Sequence, residues 1–175
     1  IPIMERELKE QFSFQYVQKT QKSLDKAGFK AQAFTRQVNL FYLSEGLRER
    51  IDPTENGFVR AEKKITYTKE ELLEELRANP QDFSPNVVLR PLYQEFILPN
   101  LAYIGGGGEL VYWQERKSQF HAAGVHFPML IRRNSLMLID EATANQMEKL
   151  GLSWKDFLDP YEVLAKKYLR QHSEA

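Results

Sequence analysis

The residues of this chain best suited to bind a ligand are four consecutive glycines and the glutamate after them: Gly105, Gly106, Gly107, Gly108 and Glu109. They follow the short apolar run 101–104, which predicts a buried strand, and a helix pattern begins directly after them. Glycines between a strand and a helix permit a tight turn and let a ligand approach the backbone, because no Cβ is in the way. The free N–H groups of the helix would then point at that ligand. A tight turn that binds nothing is the alternative interpretation.

The glycine run matches neither common phosphate-binding motif. A G-x-G-x-x-G motif would need a third glycine where Leu110 or Val111 stands, and G-K-[ST] is absent. The Glu109 carboxylate could hold an amine or a hydroxyl, or it could only complement the helix dipole, which is worth about 0.5 kcal/mol. Tyr112 lies one turn beyond Gly108 and is either a core aromatic or a side chain that reaches the ligand crevice.

Two arginines end the second apolar run of this region. Residues 127–131 predict a buried strand, and Arg132 and Arg133 follow at its carboxyl end, where ligands bind in parallel sheets. Successive side chains of a strand alternate in direction, so one arginine is expected to face the crevice. We assign that role to Arg133, because a guanidinium fork suits a carboxylate or a phosphate, and Ser135 would add a hydroxyl. A surface salt bridge of little energy is the alternative.

A third group of polar residues has helical spacing. Asn86, Arg90 and Gln94 are four residues apart, so they would share one face if this stretch is helical. Because they lie among apolar residues, we expect a buried polar network that forms a wall of the crevice. A solvated polar face is the alternative. His121 and His126 are expected at the surface.

The remaining patterns predict the elements that would position these residues. Helical periodicity, capping boxes and turn signals define the boundaries of these elements. The first predicted elements are a helix over residues 5–27 that stops at Gly28 and a small antiparallel hairpin or meander over 38–67. A helix from the capping box of Thr68 and Glu71 to residue 79, a loop over 81–85 and a short helix over 92–98 follow. The C-terminal part has a helix over 141–150 capped by Asp140, a capping box of Ser153 and Asp156, and a helix over 161–170.

Composition narrows the classes of function. The 175 residues hold equal numbers of basic and acidic side chains, 24 of each, which disfavours nucleic acid as a partner. With no cysteine and three histidines, neither a disulfide nor a metal site is expected, and a reducing cytoplasm is permitted. No apolar run approaches the roughly 18 residues of a membrane span. The start at Ile1 without a signal-peptide pattern suggests a piece of a longer protein.

Several strings of the sequence carry a family resemblance. Residues 84–95 read SPNVVLRPLYQE, residues 102–113 read AYIGGGGELVYW, and shorter matches lie at residues 38–42 and 133–140. Together they resemble the bacillithiol biosynthesis cysteine-adding enzyme family over most of residues 37–140. Many members read Gly-Gly-Pro-Gly-Glu where this chain has Gly106, Gly107 and Gly108 before Glu109. The extra glycine would loosen the turn and keep its N–H donors.

The resemblance implies a fold and an activity. Members have an α/β, Rossmann-like core similar to that of class I aminoacyl-tRNA synthetases, and a C-terminal coiled coil that forms homodimers. Their proposed reaction joins L-cysteine to the amine of glucosaminyl malate in the cytoplasm, after activation of the cysteine carboxylate by ATP or another nucleotide. The residues that carry out the chemistry are unknown from this chain, since the family's His-rich nucleotide motif is absent.

We therefore expect a partial Rossmann-like core with a small antiparallel β insertion and peripheral helices. Residues 1–80 would form the inserted or connecting region, and residues 81–175 the second half of the core with the C-terminal helices. The alternative function is a non-catalytic α/β domain that binds a ligand or a partner. An upstream His-x-Gly-His-like motif in the longer protein would favour the enzyme.

Overall fold

The protein was analysed as a computed structural model, which describes residues 1–172. It forms two compact units, one over residues 1–133 and one from Asn134 onward, and each is described by itself. The division expected near residue 80 stays a prediction. The α/β class with a small antiparallel sheet, which the sequence predicts, is confirmed.

The first unit alternates helices with short strands. Its elements are α1 (Pro2–Glu10), α2 (Phe12–Lys26), β1 (Leu40–Ser44), β2 (Leu47–Thr54), β3 (Gly57–Arg60), β4 (Thr66–Tyr67), α3 (Lys69–Ala78), a 3₁₀ turn (Pro80–Asp82), β5 (Phe83–Pro85), α4 (Arg90–Ile97), β6 (Ala102–Gly105), α5 (Gly107–Gln114), α6 (Lys117–Ala123) and β7 (Met129–Arg132).

The strands form two sheets of opposite character. An antiparallel sheet has the order β4-β3-β2-β1-β5, so the predicted meander gains a fifth strand. The second sheet consists of β6 and β7, which run parallel with Gly105 opposite Arg132. Because α5 and α6 connect these two strands, this part has the β–glycine turn–α–β order that the sequence predicts. The prediction that its strands are buried is wrong, since Ile104 is 66% and Met129 is 67% exposed. Within residues 1–172, no other strand flanks this sheet.

One cluster of buried side chains joins the helices to the sheets. It combines residues from both sides of position 80, so these segments share a core. Its largest members include Phe12, Leu40, Leu72, Leu92, Trp113 and Phe120. Trp113 also stacks on Tyr103 of β6, with ring centroids 4.1 Å apart. This stacking fixes α5 against the strand that leads into the glycine turn.

The prediction of one helix over residues 5–27 is wrong, because the chain breaks at Gln11. This residue adopts the left-handed conformation, with φ 50°, and separates α1 from α2. The break brings the backbone N–H of Ser13 to the carboxylate of the buried Glu7, at 3.2 Å. No glycine or proline marks this position, so the sequence carries no local signal for the break.

We predict that Gln11→Gly stabilises the protein. A left-handed conformation costs an L-residue roughly 1–2 kcal/mol, and glycine avoids that cost. The free energy of unfolding should rise by about 1 kcal/mol in urea titrations. Lys19→Gly, at an exposed position inside α2, is the matched control and should lower it by about 1 kcal/mol. Equal destabilisation by both variants would contradict the prediction.

Two further segments differ from the sequence prediction. Residues 83–85 form β5 rather than a loop, since they pair with residues 40–42 of β1. The helix after the glycines is interrupted between α5 and α6, where Glu115 and Arg116 are buried and paired at 3.1 Å. Glu115 also accepts from the Gln32 backbone N–H at 2.6 Å and from Gln21 Nε2 at 2.8 Å, so long-range contacts accompany both changes in local structure.

The second unit contains α7 (Glu141–Lys149), a 3₁₀ helix (Trp154–Leu158) and α8 (Tyr161–His172). Asp140 caps α7 by accepting from the Thr143 N–H at 2.7 Å, as predicted. Asp156 accepts from the Ser153 backbone N–H at 2.8 Å, so the second capping box is also confirmed. Across residues 1–172, every helix is too short or too polar to cross a membrane.

Candidate functional site

The glycine turn opens at the end of β6. Gly105 is buried as the last residue of the strand, whereas Gly107 and Gly108 are exposed in the first turn of α5. A Cβ placed on either exposed glycine would meet no atom within 4 Å. The first N–H groups of a helix have no partner inside it, so this open surface offers donors to an anion.

The Glu109 carboxylate closes the turn from inside. Its Oε2 accepts from the Gly106 backbone N–H at 2.9 Å, and its Oε1 accepts from the Tyr103 hydroxyl at 3.1 Å. These two bonds, with smaller contributions from the charges of Arg133 and Arg90, hold the pKa of Glu109 below its usual range. The carboxylate is therefore ionised at neutral pH. Each oxygen can accept a further hydrogen bond, and the role of Glu109 toward an amine or hydroxyl stays a prediction.

Arg133 lies directly against the glycine turn. Its backbone N–H donates to the Gly105 carbonyl at 2.9 Å. Its guanidinium covers Gly106, since a Cβ built on that glycine would lie 3.1 Å from Arg133 Nη2. Gly106 thus allows a cation to approach the backbone. Arg133 is exposed, as is Arg132, the last residue of β7.

A second guanidinium is held on the neighbouring helix. Arg90, the first residue of α4, donates from Nη2 to the Tyr112 hydroxyl and from Nη1 to Gln94 Oε1, both at 2.9 Å. Gln94 donates in turn to Glu95 at 3.3 Å. The structure therefore brings Arg90, Gln94 and Tyr112 together, and the charge of Arg90 reaches Glu109. These side chains are partly buried, which limits the motion of the guanidinium.

Asn86 does not share a helical face with Arg90 and Gln94, because it precedes α4. Its side-chain oxygen accepts from the backbone N–H groups of Val88, at 2.8 Å, and Leu89, at 3.2 Å. The sequence interpretation assumed helical structure throughout, whereas Asn86 forms the turn that leads into the helix. This side chain orders the start of α4 and is not part of its exposed wall.

Residues 1–134 match the family described as bacillithiol biosynthesis BshC, N-terminal Rossmann-like domain. The chain belongs to the BshC family. A relative from Flavobacterium johnsoniae is 46% identical over 164 residues, which cover 94% of this chain and 31% of the relative. A relative from Christiangramia forsetii is 46% identical over 168 residues, covering 95% and 31%, and one from Bacillus mycoides is 34% identical over 157 residues, covering 88% and 29%.

These BshC relatives are assigned by name as proposed cysteine ligases. The chain spans about a third of the length of the curated relatives that it matches. The resemblance inferred from the residues around the glycine turn is therefore confirmed at the level of family and fold.

Two residues of this BshC-family site were missed by sequence reasoning. The hydroxyl of Tyr103 donates to the Glu109 carboxylate. The side-chain oxygen of Asn39 accepts from Asn86 Nδ2 at 3.0 Å, although no sequence pattern marks Asn39. Alternation along the strand from Gly105 could have placed Tyr103 on the same face as the turn. No local pattern could have paired Asn39 with Asn86, which lies 47 residues away.

Three other residues were singled out in the sequence, namely Ser135, His121 and His126. Ser135 belongs to the second unit and is exposed in the segment before α7, so its role stays a prediction. His121 and His126 are exposed, as expected. Within residues 1–172, no three His, Asp or Glu side chains are grouped so that they could hold a metal ion.

Proposed function

We propose that this chain forms part of a cytoplasmic ligase that joins L-cysteine to the amine of glucosaminyl malate. The observation that carries the proposal is the pair of cations beside the open first turn of α5, the exposed Arg133 and the hydrogen-bonded Arg90. The family membership and the ligase names of the relatives support the reaction type.

The proposed ligand of this site is a carboxylate or a phosphate. The guanidinium of Arg133 and the N–H groups of Gly107 and Gly108 are available to a negatively charged group in the same small region. Arg90 adds a second positive charge, while Glu109 is already occupied by two internal hydrogen bonds. Glu109 keeps its negative charge, so the charges of Arg133 and Arg90 have to offset it when a substrate anion binds.

The proposed chemistry is acyl transfer. A carboxylate oxygen of cysteine would attack a phosphorus of ATP or another nucleotide, so that an O–P bond forms and the bond to the departing part of the nucleotide breaks. The sugar amine would then attack the activated carbonyl carbon, an amide bond would form, and the carbon–oxygen bond to the phosphate would break. The phosphate would leave with the electron pair, and the amine would lose its proton to solvent. The residues described here bind and orient anionic groups in this scheme. We propose that the 175 residues alone do not turn over, and that the longer protein acts as a homodimer.

A non-catalytic binding domain is the alternative function. It would use the same cations to hold an anion without transferring it. No observation on the described residues favours that function over the ligase, whereas the family assignment favours the ligase.

We expect Arg133→Ala to weaken anion binding by about tenfold, because it removes a charge-assisted donor. Thermal-shift titrations with ATP, L-cysteine, malate and glucosaminyl malate would measure the loss. A ligand at 100 times its Kd should stabilise the wild type by about 2.7 kcal/mol. Arg132→Ala, at the adjacent exposed position, is the matched control and should change Kd by less than about twofold.

Either of two results would contradict this proposal. Equal losses in Arg132→Ala and Arg133→Ala would show a diffuse charge effect rather than a site. If neither glucosaminyl malate nor ATP binds the full-length protein, the assignment of these substrates is wrong.

A further inference from the structure

A chain of polar side chains crosses the interior of the first unit. The Glu7 carboxylate, fully buried in α1, accepts from Asn39 Nδ2 at 2.7 Å and from the Asn39 backbone N–H at 3.0 Å. Asn39 Oδ1 accepts from Asn86 Nδ2 at 3.0 Å. Burial raises the pKa of Glu7, while the bonds from Ser13 and Asn39 oppose that rise. These contacts form a continuous relay from α1 to the turn before α4.

The relay ends on the backbone that begins α4. The oxygen of Asn86 accepts from the N–H groups of Val88 and Leu89, and its carbonyl accepts from the Arg90 N–H at 2.8 Å. The Asn86 N–H itself donates to the Asn39 carbonyl at 3.0 Å. Both the backbone and the side chain of Asn86 are therefore hydrogen-bonded to Asn39, the residue before β1, and they connect the first turn of α4 to it.

The orientation of Asn86 is determined by the relay. Asn39 Nδ2 also donates to the Arg36 carbonyl at 2.7 Å, so a flipped Asn39 amide would lose this bond and the one to Glu7. Its oxygen must then face Asn86, which must present its NH₂ group to Asn39 and its oxygen to the helix start. A fully satisfied buried network of this kind selects a single arrangement.

We infer that Asn39 and Asn86 are positioning residues, and that the Glu7–Asn39–Asn86 relay holds Arg90 in the orientation in which it contacts Tyr112. Arg90 is the first residue after the turn that Asn86 organises, and its guanidinium donates to the Tyr112 hydroxyl of α5 at 2.9 Å. The inference depends on the proposed function only where an anion is named as the ligand of Arg90.

The test separates positioning from simple stabilisation. Asn86→Asp keeps an acceptor for Val88 and Leu89 but loses the donor to Asn39. We expect the ¹⁵N relaxation of the Arg90 Nε–H group to report increased motion in this variant. Asn79→Asp is the matched control, because it also removes an amide donor, the one to Glu75, at the end of α3. It should leave Arg90 unchanged.

Pyrophosphate binding by calorimetry gives a second readout. Asn86→Asp should raise Kd by about fivefold in the wild-type background and by no further amount in an Arg90→Ala background, as expected of two coupled residues. An ordered Arg90 in Asn86→Asp would overturn the inference. A fivefold rise in the Kd for pyrophosphate on adding Asn86→Asp to Arg90→Ala would also overturn it. If Asn86→Asp does not fold, Asn86→Ser tests the same donor.

The two proposals fail in distinguishable ways. A wild-type protein that does not bind pyrophosphate would count against the proposed function alone, since the relaxation of Arg90 still decides the relay. If Arg90 stays ordered in Asn86→Asp, the inference about the relay is wrong, and the anion affinity of the wild type still supports the proposed function.

Discussion

Gly57→Ala is expected to lower the free energy of unfolding by about 4 kcal/mol, the sum of backbone strain and overpacking. Gly57 begins β3 with φ 151°, a conformation that side-chain-bearing residues rarely adopt. A Cβ there would overlap the backbone carbonyl oxygen of Tyr67 and lie 3.0 Å from Thr68 Cα. Neither obstacle is a flexible side chain, so β3 and β4 would have to separate.

Gly46→Ala is the matched control for this effect. Gly46 also has a positive φ, 78°, but a Cβ there would meet nothing within 4 Å. We expect a loss of about 1 kcal/mol from the left-handed conformation alone. Urea denaturation of both variants measures the difference. Similar losses would show that the contact with Tyr67 has no energetic weight.

The turn at Gly57 illustrates what a sequence can predict. The string 55–57 marks a turn between strands, and the structure places β2 and β3 on its two sides. The strict need for glycine arises from β4, where Tyr67 pairs with Phe58. That pairing is set by the fold of the sheet and by no local signal, so the sequence predicts the turn without its steric requirement.

The capping boxes and the glycine turn were predictable because their signals are local. Thr68 accepts from the Glu71 N–H at 3.2 Å, and Glu71 accepts from the Thr68 N–H at 2.7 Å, as the spacing indicates. The break at Gln11 was not predictable, because it is imposed by a buried carboxylate that reaches β1. Long-range polar contacts override helix periodicity in such places.

The candidate site was predictable to a similar extent. The glycine turn, the place of Arg133 beside it and the contact of Arg90 with Gln94 follow from strand ends and helical spacing, whereas the bond from Arg90 to Tyr112 does not. The bond from Tyr103 to Glu109 and the relay through Asn39 do not, since each requires the packed positions of separate elements. Residue types therefore indicate where a ligand could bind, and the fold decides which side chains support it.

Arg60→Met is expected to lower the free energy of unfolding by about 3–5 kcal/mol, because it leaves a buried carboxylate without its partner. Arg60 forms an ion pair with Glu49, and the two side chains are 7% and 0% exposed. The guanidinium also donates to Ser44 Oγ at 2.7 Å and covers the Tyr42 ring. Methionine would fill the volume and leave the charge of Glu49 in the interior.

The double variant with Glu49→Gln isolates the charge. Glutamine keeps an acceptor for the Lys63 N–H, which lies 2.8 Å from Glu49 Oε2. We therefore expect Arg60→Met with Glu49→Gln to be about 2 kcal/mol more stable than Arg60→Met alone. A double variant as unstable as Arg60→Met would mean that the loss comes from packing.

The pH dependence of the same variants gives an independent test. Burial raises the pKa of Glu49, but the bonds from Arg60 and Lys63 outweigh it and hold the pKa below 4.5. In the wild type the stabilisation is present above that ordinary value and is lost as pH falls toward the lower folded pKa. Without Arg60, only the bonds from the Lys63 N–H and the Ser44 hydroxyl oppose burial, so the pKa of Glu49 rises and protonation in acid relieves the buried charge. The deficit of Arg60→Met measured by urea denaturation should therefore shrink from pH 7 to pH 4.5, and a constant deficit would contradict the assignment of the loss to the charge of Glu49.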